Sequence, residues 1–256
     1  MRRCLSAVQF VLKAQYLLIS SVYELESPII DALKENFPIP VYSIGPVIPY
    51  FQLENINESP EYIKWLDAQP KGSVLYISQG SFLSVSSSQF EEIVAGVRES
   101  GVRYFWVART NDCRFTGGND HKGLLVPWCD QLKVLSHSSI GGFWTHCGWN
   151  STKEGIYAGV PMLTFPIMLD QVPNSKKIVW DWKVGWSVKR EEMAFETIVT
   201  REEVSMLVKR FMDFDNEEGR KMRRRSKEVM RICRQAIVEG GSSGINVDAF
   251  VEDISQ

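Results

Sequence analysis

The chain alternates short continuous apolar runs with longer stretches in which apolar residues recur every three or four positions. Val74-Leu75-Tyr76-Ile77 is such a run, the pattern of a strand covered on both faces. Downstream, Phe90, Ile93, Val94 and Val97 recur at helical spacing, and Gly101 ends the pattern. A serine cluster, Ser86 to Ser88, precedes that helix, and Ser88 with Glu91 has the spacing of a capping box. Arg103 to Ala108, Leu124 to Val126, Ile140 to Trp144, Met162 to Phe165 and Val184 to Val188 read as further strands. Between them, Gln131 to Leu135, Trp149 to Ala158 and Leu169 to Asp181 read as helices. This alternation, with short connections from Ser73 to Val188, implies an α/β fold: a Rossmann-like, doubly wound parallel sheet with helices on both faces. Ligands of such sheets bind beyond the carboxyl ends of the strands.

The flanks are patterned differently. Residues 1–20 read as a helix leading into a strand, Tyr16-Leu17-Leu18-Ile19. Glu24 to Leu33 suits a helix that tolerates Pro28 in its first turn, and Val41 to Ile44 a brief strand. From Gly45 to Pro60 the chain carries Pro46, Pro49 and Pro60 among Asn and Glu residues, a linker composition that marks a domain boundary. Glu61 to Ala68 is a short helix, and Thr110 to Lys122 a polar, Gly-rich loop. After Val188 the tail is helical. Thr200 and Glu203 form a second capping-box pattern before the stripe Val204, Leu207, Val208 and Phe211. A long helix is expected from Asn216 to Val238, broken by Gly240-Gly241-Ser242-Ser243-Gly244. A last amphipathic segment shows Val247, Phe250, Val251 and Ile254.

Composition narrows the function. A chain of 256 residues, 44% hydrophobic and 23% charged, can bury a substantial core. A net charge of −2 gives no global field drawing it to nucleic acid or to an anionic membrane. The run Arg223-Arg224-Arg225 sits in a helical pattern and reads as a solvated face. Five scattered cysteines, Cys4, Cys113, Cys129, Cys147 and Cys233, include no C-x-x-C pair, which points to reduced thiols in a cytoplasmic protein and away from a zinc site. The first residues superficially resemble a signal peptide, but Gln9, Lys13 and Gln15 interrupt the apolar run. No other segment reaches the roughly 18 apolar residues of a membrane span.

Candidate chemistry concentrates between Trp128 and Gln171. Thr145-His146-Cys147-Gly148-Trp149-Asn150-Ser151-Thr152 follows an apolar run and opens a helix. Unsatisfied N–H groups and the helix dipole make such a handover an anion site. Trp128 offers a face for a base, and Gln131 an amide that reads polar edges. His146, Asn150 and Ser151 supply donors suited to a pyrophosphate. Glu154, four residues after Asn150, shares its helical face and suits a ribose diol. Asp170-Gln171 stands at the next strand-to-helix transition, where sugar hydroxyls can be gripped. Each residue also has a structural reading: Trp128 as core packing, Asn150 and Ser151 as helix caps, Glu154 as a solvated helix residue, His137 as a loop or capping histidine.

Taken together, the segment from Trp128 to Gln171, with THCGWNS and the final Asp-Gln intact, closely resembles the signature box of plant UDP-dependent glycosyltransferases of secondary metabolism. Val22 to Glu26 is similar to the segment ending that family's N-terminal domain. Ser43 to Pro46 resembles its exit into the interdomain linker, and Ser78-Gln79-Gly80-Ser81 its phosphate-side loop. The resemblance implies a GT-B fold, of which residues 1–46 would be a remnant of the acceptor domain and 47–60 the interdomain linker. Residues 61–238 would form the UDP-sugar-binding domain, and 239–256 a helix that packs back on the N-terminal domain. It implies that Trp128 stacks the uracil, Gln131 contacts the nucleoside, and Glu154 holds the ribose. His146, Asn150, Ser151 and Ser81 would bind the diphosphate, and Trp149, Asp170 and Gln171 the sugar, with Cys129 and Gly148 also among the donor-binding residues. A final glutamine is associated with glucose donors, so UDP-glucose is the implied co-substrate, with no cofactor and no metal.

By the same resemblance the reaction transfers glucose to a hydroxyl of a small acceptor with inversion, using a histidine base near the family's N-terminus. The histidines here are His121, His137 and His146, and none precedes the linker, so none matches that base. The expectation is therefore an N-terminally truncated member. Two further readings stay open: a UDP-sugar-binding fragment without catalysis, and an interaction protein. The stripe from Val247 to Ile254 would expose apolar surface and favour self-association. Lys153 is expected to face solvent. Gly155 departs from the small or apolar pattern of the box, at a cost to its helix of about 1 kcal/mol relative to Ala.

Overall fold

A computed structural model describes residues 11, 13–50, 53, 60–79, 85–108, 122–189 and 197–255. The chain divides into two compact units, one formed by residues 1–48 with 229–256 and the other by 49–228.

The larger unit holds a six-stranded sheet. Its elements in chain order, after β1 (Leu17–Ile19), α1 (Tyr23–Asn36) and β2 (Val41–Ser43) of the other unit, begin with α2 (Glu61–Asp67), β3 (Val74–Ser78), α3 (Ser87–Glu99), β4 (Arg103–Val107) and β5 (Gly123–Val126). They continue with α4 (Gln131–Leu135), β6 (Ile140–Thr145), α5 (Trp149–Ala158), β7 (Met162–Thr164), α6 (Gln171–Lys176), β8 (Gly185–Ser187) and α7 (Arg201–Met212). The strand order is β5-β4-β3-β6-β7-β8, and every pairing is parallel. β3 and β6 lie at the centre and are buried along their whole length, as their continuous apolar runs predict. Leu75 and Ile77 face one layer, with Phe90, Ile93 and Val97 of α3 and Val204, Val208 and Phe211 of α7. Tyr76 faces the other, with its ring 5.8 Å from Phe105 and 5.0 Å from Phe143. The fully buried Leu, Ile and Phe side chains of these layers each contribute about 1.5–3 kcal/mol.

The chain builds outward from β3 to β4 and β5, then returns to place β6 on the other side of β3 and continues to β7 and β8. The β3/β6 border is thus a topological switch point, where the connections leave in opposite directions and open a crevice at the carboxyl ends.

Two local expectations are corrected and a third is met. The N-cap of α3 is Ser86, which accepts from Gln89 N; Ser88 lies inside the helix. Gln89 stands at the position from which a capping-box side chain reaches back, yet its amide donates to Val199 O at 2.9 Å and accepts from Val199 N at 2.8 Å. The helix expected from Leu169 begins at Gln171, because Leu169 has φ 56°, and it passes into a π-helical turn, Lys177–Asp181. At α7 the Thr200/Glu203 capping box is present in both directions.

The smaller unit pairs β1 (Leu17–Ile19) with β2 (Val41–Ser43) in parallel, flanked by α1 (Tyr23–Asn36). α8 (Glu217–Ala236) is followed by a turn at Gly240, φ 74°, and by α9 (Ser242–Ile254). The Gly/Ser run therefore breaks the chain only at its first two glycines and already belongs to α9 from Ser242. Phe250 of α9 packs edge-on against Tyr16 at 5.6 Å and lies 5.8 Å from Tyr42, while Val247, Val251 and Ile254 remain exposed. Among the described residues no helix is long and apolar enough to cross a membrane.

Candidate functional site

At the β3/β6 switch point a cavity of about 480 Å³ opens beyond the strand ends, a volume suited to a small-molecule ligand. Each strand on this side contributes its exit. β3 supplies Tyr76 and Ser78, β4 leads to Val107 and Ala108, and β5 to Pro127, Trp128, Cys129 and Gln131. From β6 come His146, Gly148, Trp149, Asn150, Ser151 and Glu154.

The turn between β6 and α5 shapes the floor. Cys147 adopts φ 66°, a conformation that non-glycine residues rarely enter. Its N–H donates to Thr145 Oγ1 at 3.0 Å, and its carbonyl accepts from Asn174 Nδ2 at 2.9 Å, so the conformation is held from both sides. Gly148 follows because the ring of His146 lies over it; a Cβ there would meet His146 Nε2 at 2.4 Å. Gly148 is also the N-cap of α5 and has no side chain to offer the first turn. Gly148 therefore brings no side-chain cap, and the first turn of α5 lies at the cavity, where the helix dipole favours an anion. Asn150 and Ser151 sit inside the helix at its second and third positions, so they do not cap it.

A hydrogen-bonded chain forms one wall. Tyr76 O–H donates to Gln131 Oε1 at 3.0 Å. Gln131 Nε2 donates to Ser151 Oγ at 3.0 Å and to Glu154 Oε2 at 2.6 Å. Burial raises the pKa of Glu154, and the bond from Gln131 opposes that shift. Burial lowers the pKa of His146, whose Nδ1 is buried and unpartnered among the described residues. Cys129 is buried, lies 3.6 Å from the Tyr76 hydroxyl, and has its thiol pKa pushed up to about 11 by burial. Trp128, by contrast, is 72% exposed, an uncovered aromatic face at the cavity rim and not a core side chain.

The sequence candidates thus divide. Trp128, Cys129, Gln131, His146, Gly148, Trp149, Asn150, Ser151 and Glu154 converge on one cavity. Asp170 and Gln171 are not among its lining residues. Gln171 is buried and its Oε1 accepts from Ile167 N and Met168 N, bracing its own loop. Asp170 Oδ2 accepts from Asn174 Nδ2 at 3.1 Å. Ser81, with Gly80, lies outside the described residues, as does His121. His137 precedes β6, at the end of the strand away from the cavity, where it bonds Ser139 and Asp67.

Lys153 corrects an expectation: it is 6% exposed, and burial lowers its pKa while Glu154 opposes the shift. Gly155 also gains a physical reason, since a Cβ there would stand 3.0 Å from Met162 Sδ and 3.4 Å from Phe143 Cδ1. The small residue lets α5 lie close on β6 and β7. Two contributors were hidden in the sequence. Tyr76 sits inside an apolar run, where the need of a buried hydroxyl for a partner is the one available signal. Asn174 carries no motif at all.

Residues 11–210 match the family model described as UDP-glucoronosyl and UDP-glucosyl transferase. The chain is 54% identical to UDP-glycosyltransferase 87A1 of Arabidopsis thaliana over 95% of its own length and 56% of that protein's. It is 36% identical to mogroside I-E synthase of Siraitia grosvenorii over 95% of itself and 56% of that relative. It thus spans about half the length of the curated relatives it matches. Among solved structures, Phytolacca americana UGT2 complexed with UDP-2fluoro-glucose and pterostilbene matches with a TM-score of 0.86 and 33% identity, over 98% of this chain and 57% of that one. Medicago truncatula UGT71G1 complexed with UDP-glucose matches with a TM-score of 0.82 and 33% identity, over 96% and 55%.

Proposed function

The chain belongs to the UDP-glucoronosyl and UDP-glucosyl transferase family, and on that premise we propose that its cavity is the donor site of an enzyme transferring glucose from UDP-glucose to a hydroxyl of a small acceptor, with inversion. The observation that carries this reading is the convergence, in one cavity, of an exposed Trp128 face, the Gln131–Glu154 pair and the uncapped start of α5. We assign these three features to the base, the ribose and the phosphate.

Trp128 stacks the uracil, with Cys129 and Gln131 at the nucleoside edge. The Glu154 carboxylate accepts from the ribose diol, an interaction in which a charged acceptor is stronger than a neutral one. The diphosphate takes the first-turn N–H groups of α5, with His146, Asn150 and Ser151 around it, and the family resemblance adds Ser81. As the glycosidic bond breaks, negative charge gathers on the departing UDP. Donors already aimed there stabilise it without reorganising, the role that a cation plays in other phosphate sites. Trp149, Asp170 and Gln171 serve the sugar. The loop bonds engage Gln171 Oε1, so the donor we assign to a sugar hydroxyl is its Nε2. Solved relatives in complex with UDP-glucose and with UDP-2fluoro-glucose and pterostilbene support a UDP-sugar donor and a small acceptor. Free, buried thiols at Cys129, Cys147 and Cys233 support a cytoplasmic setting.

The test is a titration of UDP-glucose into the purified chain, followed by tryptophan fluorescence. Saturable quenching is expected, and Trp128→Ala removes most of the signal and weakens binding roughly 5- to 50-fold, as the loss of a stacked aromatic does. A wild-type chain with no saturable response overturns the donor-site reading.

A further inference from the structure

Tyr76 belongs to none of the recognised motif positions, yet its hydroxyl is the inner anchor of the cavity wall. Its side chain is 1% exposed, wedged between Phe105 and Phe143, and only the phenolic oxygen reaches the polar residues. From there the O–H donates to Gln131 Oε1 at 3.0 Å. The other end of the same amide donates to Ser151 Oγ and, at 2.6 Å, to Glu154 Oε2. An amide turned the other way would set Oε1 against an ionised carboxylate oxygen at that distance, and would leave the phenol facing an N–H₂ group. The two contacts at opposite ends of Gln131 therefore select one orientation of the amide.

We propose that Tyr76 is a positioning residue of the donor site: through Gln131 it fixes the Glu154 carboxylate and the Ser151 hydroxyl before the nucleotide arrives. Without the phenol, Gln131 keeps its stem but loses the anchor that fixes its amide, and Glu154 loses a defined direction. The role rests on the donor-site reading for its ligand, but the amide orientation is a property of the free protein.

The experiment is a double-mutant cycle on UDP affinity with Tyr76→Phe and Gln131→Leu, joined to heteronuclear NMR of the Gln131 side-chain amide in the free chain. Tyr76→Phe keeps the ring and its packing, so thermal unfolding reports whether the fold survives. Tyr76→Phe is expected to weaken UDP roughly 3- to 10-fold. In the Gln131→Leu background the same change is expected to cost much less, what remains being the phenol's 3.6 Å contact with Cys129 Sγ. In the free wild-type chain the Gln131 N–H₂ pair is expected as one protected pair, with protection lost in Tyr76→Phe. Additive effects on UDP, or unchanged amide protection in Tyr76→Phe, overturn the positioning role. A wild-type chain that shows the protected pair but binds no UDP supports the amide arrangement and overturns the donor reading instead.

Discussion

Glu154 illustrates how a single side chain couples fold to ligand. Burial raises its pKa above the ordinary carboxylate value, with Gln131 opposing the shift. As pH falls through that raised pKa the carboxylate is lost, and with it the acceptor for a ribose diol; as pH rises, the acceptor returns. His146 acts in the opposite sense, since its protonated form favours a diphosphate, so the two must be separated. The ratio of UDP-glucose affinities between wild type and Glu154→Gln isolates the carboxylate. Calorimetric titration should give a ratio of roughly 10-fold at neutral pH, shrinking toward unity as the pH falls toward the ordinary carboxylate range. A ratio independent of pH would remove Glu154 from the ribose.

At this scale the sequence was legible where a residue type admits few uses in its setting. His146, Asn150, Ser151 and Glu154 follow a strand-to-helix handover, and all four line the cavity. Lys153 was misread because helical spacing gives the faces of α5 but not what covers them; only the packed structure shows its burial. Tyr76 was read as core, which its ring is. That its oxygen meets Gln131, 55 residues away, is a long-range fact that no local pattern carries.

Among the elements, strands and helices emerged close to their periodicity, and errors fell at the ends, where hydrogen bonds decide. The Gln89 amide shows why. The spacing pairs Ser88 with Glu91, but the cap is Ser86, and Gln89 three residues on pairs with both backbone groups of buried Val199, 110 residues further along the chain. Gln89→Leu strands a buried N–H and a buried carbonyl and should cost about 2 kcal/mol. Thr200→Ala removes an exposed cap on α7 and should cost about 1 kcal/mol. Denaturant unfolding of the two variants checks the order; a larger loss for Thr200→Ala would mean that the Gln89 bonds contribute little. The π-helical turn after α6 was similarly out of reach, since its residues have ordinary helical composition.

In the molecule as a whole, alternating patterns specified a parallel α/β sheet, but not that β6 returns beside β3. That choice creates the crevice, and it depends on pairings between strands far apart in sequence. It also brings Trp128, from the β5 exit, to the same cavity as the start of α5. The grouping of residues 229–256 with 1–48 is equally long-range, whereas the prolines from Pro46 to Pro60 mark a change in chain character near the division at Ile48 and Pro49.

The central claim is that UDP occupies the switch-point cavity with its diphosphate at the start of α5. Its most direct test is backbone-amide NMR of the labelled chain titrated with UDP and, separately, with uridine. UDP is expected to shift the amides of Trp149, Asn150 and Ser151 most strongly, together with the indole N–H of Trp128, whereas uridine moves the Trp128 signal and leaves the α5 amides nearly still. Saturation by UDP without movement at Trp149 to Ser151, or with the largest shifts away from the β3/β6 crevice, would contradict it.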